Sequence, residues 1–180
     1  MSHLPTVLTA RSIPVAELGG MRLDGEVYPL ADGWCAVDEL EGPAHRAAGL
    51  RGDRSSRLIA ELGSAAWVWG ATPVLPQVYE FCVDLGARAR VRAPLVRVRE
   101  LVLDPGDRVD LGAGAVTSAV RTAVDLARFR ECLSVDETAT ITELARLGGF
   151  GLEECRALLE RRRNLPEKQR ALTRLTELLG

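Results

Sequence analysis

Arg121, Asp125 and Arg128 stand at positions i, i+4 and i+7, a spacing that gathers all three on one face of a helix. A carboxylate between two guanidiniums stays ionised, so Asp125 is a poor general base. Two roles remain open for the triplet. It is either an ion-pair ladder that fixes its helix, or a pair of arginines presented to phosphate or to a partner's carboxylates. A second cationic group is Arg161-Arg162-Arg163, followed by Lys168, Arg170 and Arg174. It reads as a phosphate-contacting helical end or, because Glu153, Glu154, Glu160, Glu167 and Glu177 are interleaved with it, as a solvated surface. Arg97 and Arg99 share one side of a predicted strand, and Arg88, Arg90 and Arg92 repeat that spacing upstream. Near the N-terminus Arg22 is the basic residue of a predicted helix.

The acidic residues offer one set for metal chemistry: Glu80, Asp84, Glu100 and Asp104 fall at strand-like positions, as a nuclease or hydrolase would require. No lysine or histidine accompanies them. The 23 basic residues comprise 22 arginines and Lys168, and no lysine follows a glycine in a phosphate-binding loop pattern. Cys35, Cys82, Cys132 and Cys155 are widely spaced, and His3 and His45 are the two imidazoles, which leaves no zinc-ligand spacing. The reading is a non-enzymatic protein without metal or cofactor. The cysteines read as small buried hydrophobes in a reducing, cytoplasmic compartment. No run approaches the ~20 apolar residues of a membrane helix. A net charge of -2 argues against nonspecific coating of nucleic acid and leaves room for a local basic face. Trp67 and Trp69 could stack on bases, although a tryptophan among alanine and valine more often belongs to a core.

These groups need elements to position them. With 180 residues and 47% hydrophobic content, the chain can bury a core without a staple. Pro14 opens a short helix with Ser12 as its cap, weakened by Gly19-Gly20. Glu26–Leu30, the turn Ala31-Asp32-Gly33 and Trp34–Val37 form the best hairpin signal in the chain. A helix follows from Pro43. Ser64 caps a two-turn helix that Gly70 ends, and Tyr79–Asp84 and Leu95–Leu103 read as strands. The last third is helical. Thr117-Ser118 caps a helix to Arg130 with Val120, Ala123, Val124 and Ala127 on its apolar stripe. Ser134 and Glu137 form a capping box for the next helix, which ends at Gly148-Gly149. Leu152, Cys155, Leu158 and Leu159 mark another helix, and Pro166 opens the last. The expected fold is α+β: a reduced winged-helix-like element over residues 1–42, packed on a mixed sheet with a helical C-terminal third over 43–180.

Two stretches carry a family resemblance. The segment from Gly63 through Ser64, Ala65, Ala66, Trp67 and Val68 to Trp69-Gly70 looks like one family's Ser-Ala-Ala helix. Val116-Thr117-Ser118, followed by Arg121-Thr122 and then Asp125 and Arg128, is similar to its most recognisable signature. The chain thereby resembles the AbiEi-type antitoxins of type IV, abortive-infection toxin–antitoxin systems, over roughly residues 12 to 165. The resemblance implies a winged helix-turn-helix that binds operator DNA and represses its own operon. It also implies a C-terminal domain that counteracts a nucleotidyltransferase-like toxin. On this reading Pro14 to Tyr28 are the recognition helix and first wing strand. Ser64, Thr117, Ser118, Arg121, Thr122 and Asp125 are signature positions that hold structure. Arg22, Arg97, Arg99, Arg121, Arg128, Arg161, Arg162 and Arg163 are the candidates for binding nucleic acid or a partner. Two rival expectations stand beside it. One is a DNA-binding regulator that uses the strand and C-terminal arginines without a toxin. The other is a metal-dependent nuclease built on the four carboxylates.

Overall fold

Val7–Leu8 (β1) leads into the helix Val15–Leu23 (α1), and the hairpin Val27–Leu30 (β2) and Gly33–Ala36 (β3) returns along it. The computed structural model describes residues 5–86 and 93–180. β3 lies between β1 and β2 and pairs antiparallel with both, Val7 opposite Cys35 and Val27 opposite Ala36. Ala31 takes a positive φ of 53° in the two-residue turn, a conformation usually left to glycine or asparagine. α1 rests on this sheet through Leu18, which packs with Leu8 and Val27. Its N-cap is Pro14 and has no side-chain bond. Ser12, expected as the cap, instead donates its hydroxyl to the Thr9 carbonyl at 2.8 Å.

Helix Pro43–Arg51 (α2) connects to the second sheet. That sheet contains Ile59–Ala60 (β4), Tyr79–Asp84 (β5), Val96–Leu101 (β6), Arg108–Asp110 (β7) and Ala115–Thr117 (β8), ordered β6-β5-β4-β8-β7. It is mixed: β5 runs parallel to β6 and β4 parallel to β8, while β4–β5 and β7–β8 are antiparallel. Helix Leu62–Trp69 (α3) follows β4 directly. Ala119–Phe129 (α4), Val135–Gly148 (α5), Leu152–Glu160 (α6) and Lys168–Leu179 (α7) complete the chain. The class is therefore α+β, as composition and periodicity predict.

Two cores meet at α3. Ala65 and Val68 face a cluster with Val7, Leu30, Cys35, Leu50, Phe81 and Val116, while Leu62 and Ala66 face a helical cluster with Val124, Ile141, Leu144, Leu159 and Leu175. The first cluster thus draws side chains from both sides of residue 42. The small pair Ala65-Ala66 lets α3 sit between the layers. Gly70 (φ 79°) and Gly149 (φ 63°) end α3 and α5 in the left-handed region. Ser134 and Glu137 form the expected capping box.

Candidate functional site

α4 is the central helix. Its N-cap, Ser118, accepts the Arg121 amide at 3.4 Å. Every residue from Arg121 to Arg128 is buried, including its charged ones. The charged face opposite the apolar stripe is thus covered by the protein as well. Asp125, 1% exposed, accepts Arg121 Nε at 2.7 Å and an Arg128 terminal nitrogen at 2.8 Å. Asp107, in the turn before β7, accepts a second bond from Arg121 and one from Arg161 at 3.1 Å. Arg128 Nε reaches the Pro166 carbonyl at 3.1 Å. Beside this group Asp104 takes both bonds of Arg162, at 2.8 and 3.2 Å.

These distances decide between the two roles left open by spacing. Buried guanidiniums whose donors are spent on carboxylates and carbonyls do not present themselves to phosphate. Arg121 and Arg128 are both buried and bonded within the chain. Burial opposes charge on Arg121, but Asp125 and then Asp107 outweigh it and raise its pKa. For Arg128 burial wins over Asp125, and its pKa falls below the ordinary guanidinium value. The Arg162 bond lowers the Asp104 pKa.

A second charge cluster fixes the start of α3. Glu61, 1% exposed, receives a bidentate pair from Arg99 at 2.6 and 2.7 Å, and the Arg99 guanidinium lies 4.2 Å from the Phe129 ring centroid. Glu80 receives both terminal nitrogens of Arg130 at 2.8 Å and the Gly63 amide at 2.9 Å. Leu62 between them holds a φ of 49°, a conformation that costs of order 1–3 kcal/mol for a residue of its kind and persists where the surroundings over-determine it. Ser64 is not the cap of α3. It lies buried inside the helix and accepts the Glu80 amide at 2.8 Å, which ties α3 to β5. Thr117 and Thr122 make the same kind of tie between β8 and α4, hydroxyl to hydroxyl at 2.8 Å.

The remaining predicted residues are scattered. Arg22 is exposed near the end of α1, 6.0 Å from the Trp34 ring centroid. Arg97 and Arg163 are exposed and have no partner among the described residues. Arg88, Arg90 and Arg92 lie outside the described residues, so the continuous basic face of the first rival has no described upstream half. Trp67 is core, with Arg46 over its ring at 5.4 Å, and Trp69 Nε1 donates to the Thr117 carbonyl at 2.8 Å. Neither is a stacking platform for bases. Cys35, Cys82 and Cys155 are buried as predicted, but Cys132 is exposed. Burial pushes the Cys155 thiol up to about 12, far from a reactive thiolate.

The four nuclease carboxylates do not converge. Glu80 is buried on Arg130, Asp84 is exposed at the end of β5, Glu100 is exposed on β6, and Asp104 holds Arg162. Among the described residues no three of His, Cys, Asp or Glu are placed to hold a metal ion. No helix of the described residues is long and apolar enough to cross a membrane. A cavity of about 600 Å³ lies between α3, residues 71–76 and α5, with mainly apolar walls and the Arg130–Glu137 pair at its edge. Neither a protein-family model nor a curated protein sequence matches this chain.

Sequence reasoning missed Glu61 and Asp107, the two buried acceptors that complete the clusters. Glu61 had a signal: a carboxylate inside Leu58-Ile59-Ala60-Glu61-Leu62 would be buried, and a buried carboxylate needs a cation. Asp107 lay hidden in a Pro-Gly turn, where aspartate is commonplace.

Proposed function

We propose that this chain is an AbiEi-like regulatory protein that acts by binding macromolecules: operator DNA through its N-terminal unit, and a nucleotidyltransferase-like toxin as protein partner. The observation that supports the DNA arm is the arrangement of that unit. A helix, α1, is carried on a three-stranded antiparallel sheet ordered β1-β3-β2, an arrangement that we read as a reduced winged-helix-like element. α1 buries only Leu18 and leaves Val15, Glu17, Arg22 and Leu23 outward. The signature residues Thr117, Ser118, Arg121, Thr122 and Asp125 support the reading in a second way, because each has a structural task and none is left for catalysis.

The test is binding of the purified chain to a labelled duplex from its own upstream region, against unrelated duplex, across a salt series. The expected result is affinity for the upstream duplex roughly tenfold or more above that for unrelated DNA, weakening as salt rises. Equal affinity for both duplexes, or none at low salt, would overturn the DNA arm.

A further inference from the structure

Between the N-terminal sheet and the end of α2 lies a cavity of about 300 Å³, lined by Arg11, Arg51 and Arg54 together with Thr9, Ser12 and Asp53. Its arginines are not equivalent. Arg54 is committed: it pairs with Asp32 and donates to the Leu50 carbonyl at 3.1 Å. Arg11 is loosely held, with its side chain 77% exposed and Nε 3.5 Å from Asp53. Arg51 has no carboxylate partner among the described residues, and its Nε is buried without a hydrogen bond. Other buried Nε atoms in that condition belong to arginines whose guanidiniums hold ion pairs, as Arg130 does with Glu80 and Glu137. The cavity thus has one more guanidinium than it has carboxylates to balance it, once Asp53 and Asp32 are matched to Arg11 and Arg54.

A cation in the last turn of a helix is favoured by the helix dipole, which accounts for an arginine at position 51. It does not account for a half-buried guanidinium at a cavity wall with no carboxylate beside it to balance its charge. An anion does. A phosphate offers several acceptor oxygens, and the planar guanidinium matches it with two parallel bonds. Gly52, at φ 52°, turns the chain between Arg51 and Asp53, so that both border the same space. We infer that Arg51, assisted by Arg11, binds a phosphate group in this cavity. The phosphate is either one on a nucleic-acid backbone or free inorganic phosphate. The nucleic-acid source deepens the proposed function and rests on it, whereas the anion site itself does not.

The test uses the full chain with nitrogen-15-labelled arginine, following the Arg51 Nε–H resonance in NMR spectra. Inorganic phosphate should move that resonance saturably. Arg51→Gln should abolish the response, Arg51→Lys should retain part of the affinity, and Arg11→Ala, at an exposed position where folding is unaffected, should weaken it several-fold. If the source is a nucleic acid, duplex of any sequence moves the same resonance. R51Q then lowers affinity for upstream and unrelated duplexes by the same factor and reduces the salt slope by about one. A response to phosphate but to no duplex keeps the site and assigns it to free phosphate, while removing the DNA arm of the proposed function. Selective duplex binding that R51Q leaves unchanged, with no phosphate response, overturns the site and leaves the proposed function standing. Unchanged phosphate binding in R11A together with R51Q also overturns it.

Discussion

Asp125→Ala is expected to cost about 3–5 kcal/mol of folding free energy, because it removes the shared acceptor of two buried cations. Arg121 would keep Asp107, but Arg128 would retain the Pro166 carbonyl and the face of the Phe129 ring, with no carboxylate. Burial already holds the Arg128 pKa below its ordinary value with Asp125 present. Without the carboxylate it is a charge sealed in the protein, and the cost comes from that stranding rather than from the worth of the pair. The distinction has a measurable consequence. Adding Arg128→Met to Asp125→Ala removes the stranded charge and should recover part of the loss, although a surface ladder would show no such coupling. Urea unfolding midpoints at constant slope provide the readout. A domain of this kind has about 5–15 kcal/mol in total, so the single variant should be near its folding limit at room temperature. A loss below about 1 kcal/mol would mean that the triplet is solvated after all.

Gly49→Ala should be nearly as damaging, at about 3 kcal/mol, against the trend of helix propensity. Gly49 lies inside α2, where alanine is ordinarily favoured over glycine by about 1 kcal/mol. A Cβ at that position would stand 2.4 Å from the Leu30 carbonyl oxygen and 3.3 Å from Leu30 Cγ. The Gly49 carbonyl also accepts the Asp32 amide at 3.2 Å, so helix and hairpin turn are locked backbone to backbone. Neither backbone can yield without breaking the contact that seats the N-terminal sheet on α2. Gly20→Ala is the control. It too lies within a helix, but a Cβ there meets nothing within 4 Å, and the substitution should stabilise by about 0.5–1 kcal/mol. Thermal unfolding of both variants checks the pair, and a destabilised Gly20→Ala would show that α1 packs more closely than its exposure indicates.

Local rules made much of this fold legible. The hairpin around Asp32, the left-handed ends at Gly70 and Gly149, the box at Ser134 and Glu137 and the period of α4 all depend on neighbours within a few residues. What stayed hidden depends on distant chain. The i, i+4, i+7 pattern of Arg121, Asp125 and Arg128 is the same for a solvated ladder and for a sealed network. The difference is set by Asp107 and Pro166, which cover that face from 14 and 38 residues away from the arginines they touch. Ser64 was misplaced for the same reason. Its hydroxyl suits a cap, but the Glu80 amide of β5 takes it from inside the helix. The C-terminal arginines read as a phosphate-contacting end or a solvated surface, because sequence does not show that Arg161 and Arg162 close back on Asp107 and Asp104. The order β6-β5-β4-β8-β7 was beyond local reading, since β4 is only two residues long.

Under the proposed function, binding falls to the N-terminal unit and structure to the charges of α4. Amide hydrogen exchange of the full chain, with and without its upstream duplex, separates those assignments most directly. It should slow exchange in α1, at the β2–β3 turn and around Arg51, and leave α4 and the ends of α6 and α7 unchanged. Protection confined to α4, β6 or the C-terminal helices, or no change anywhere on adding duplex, would contradict it.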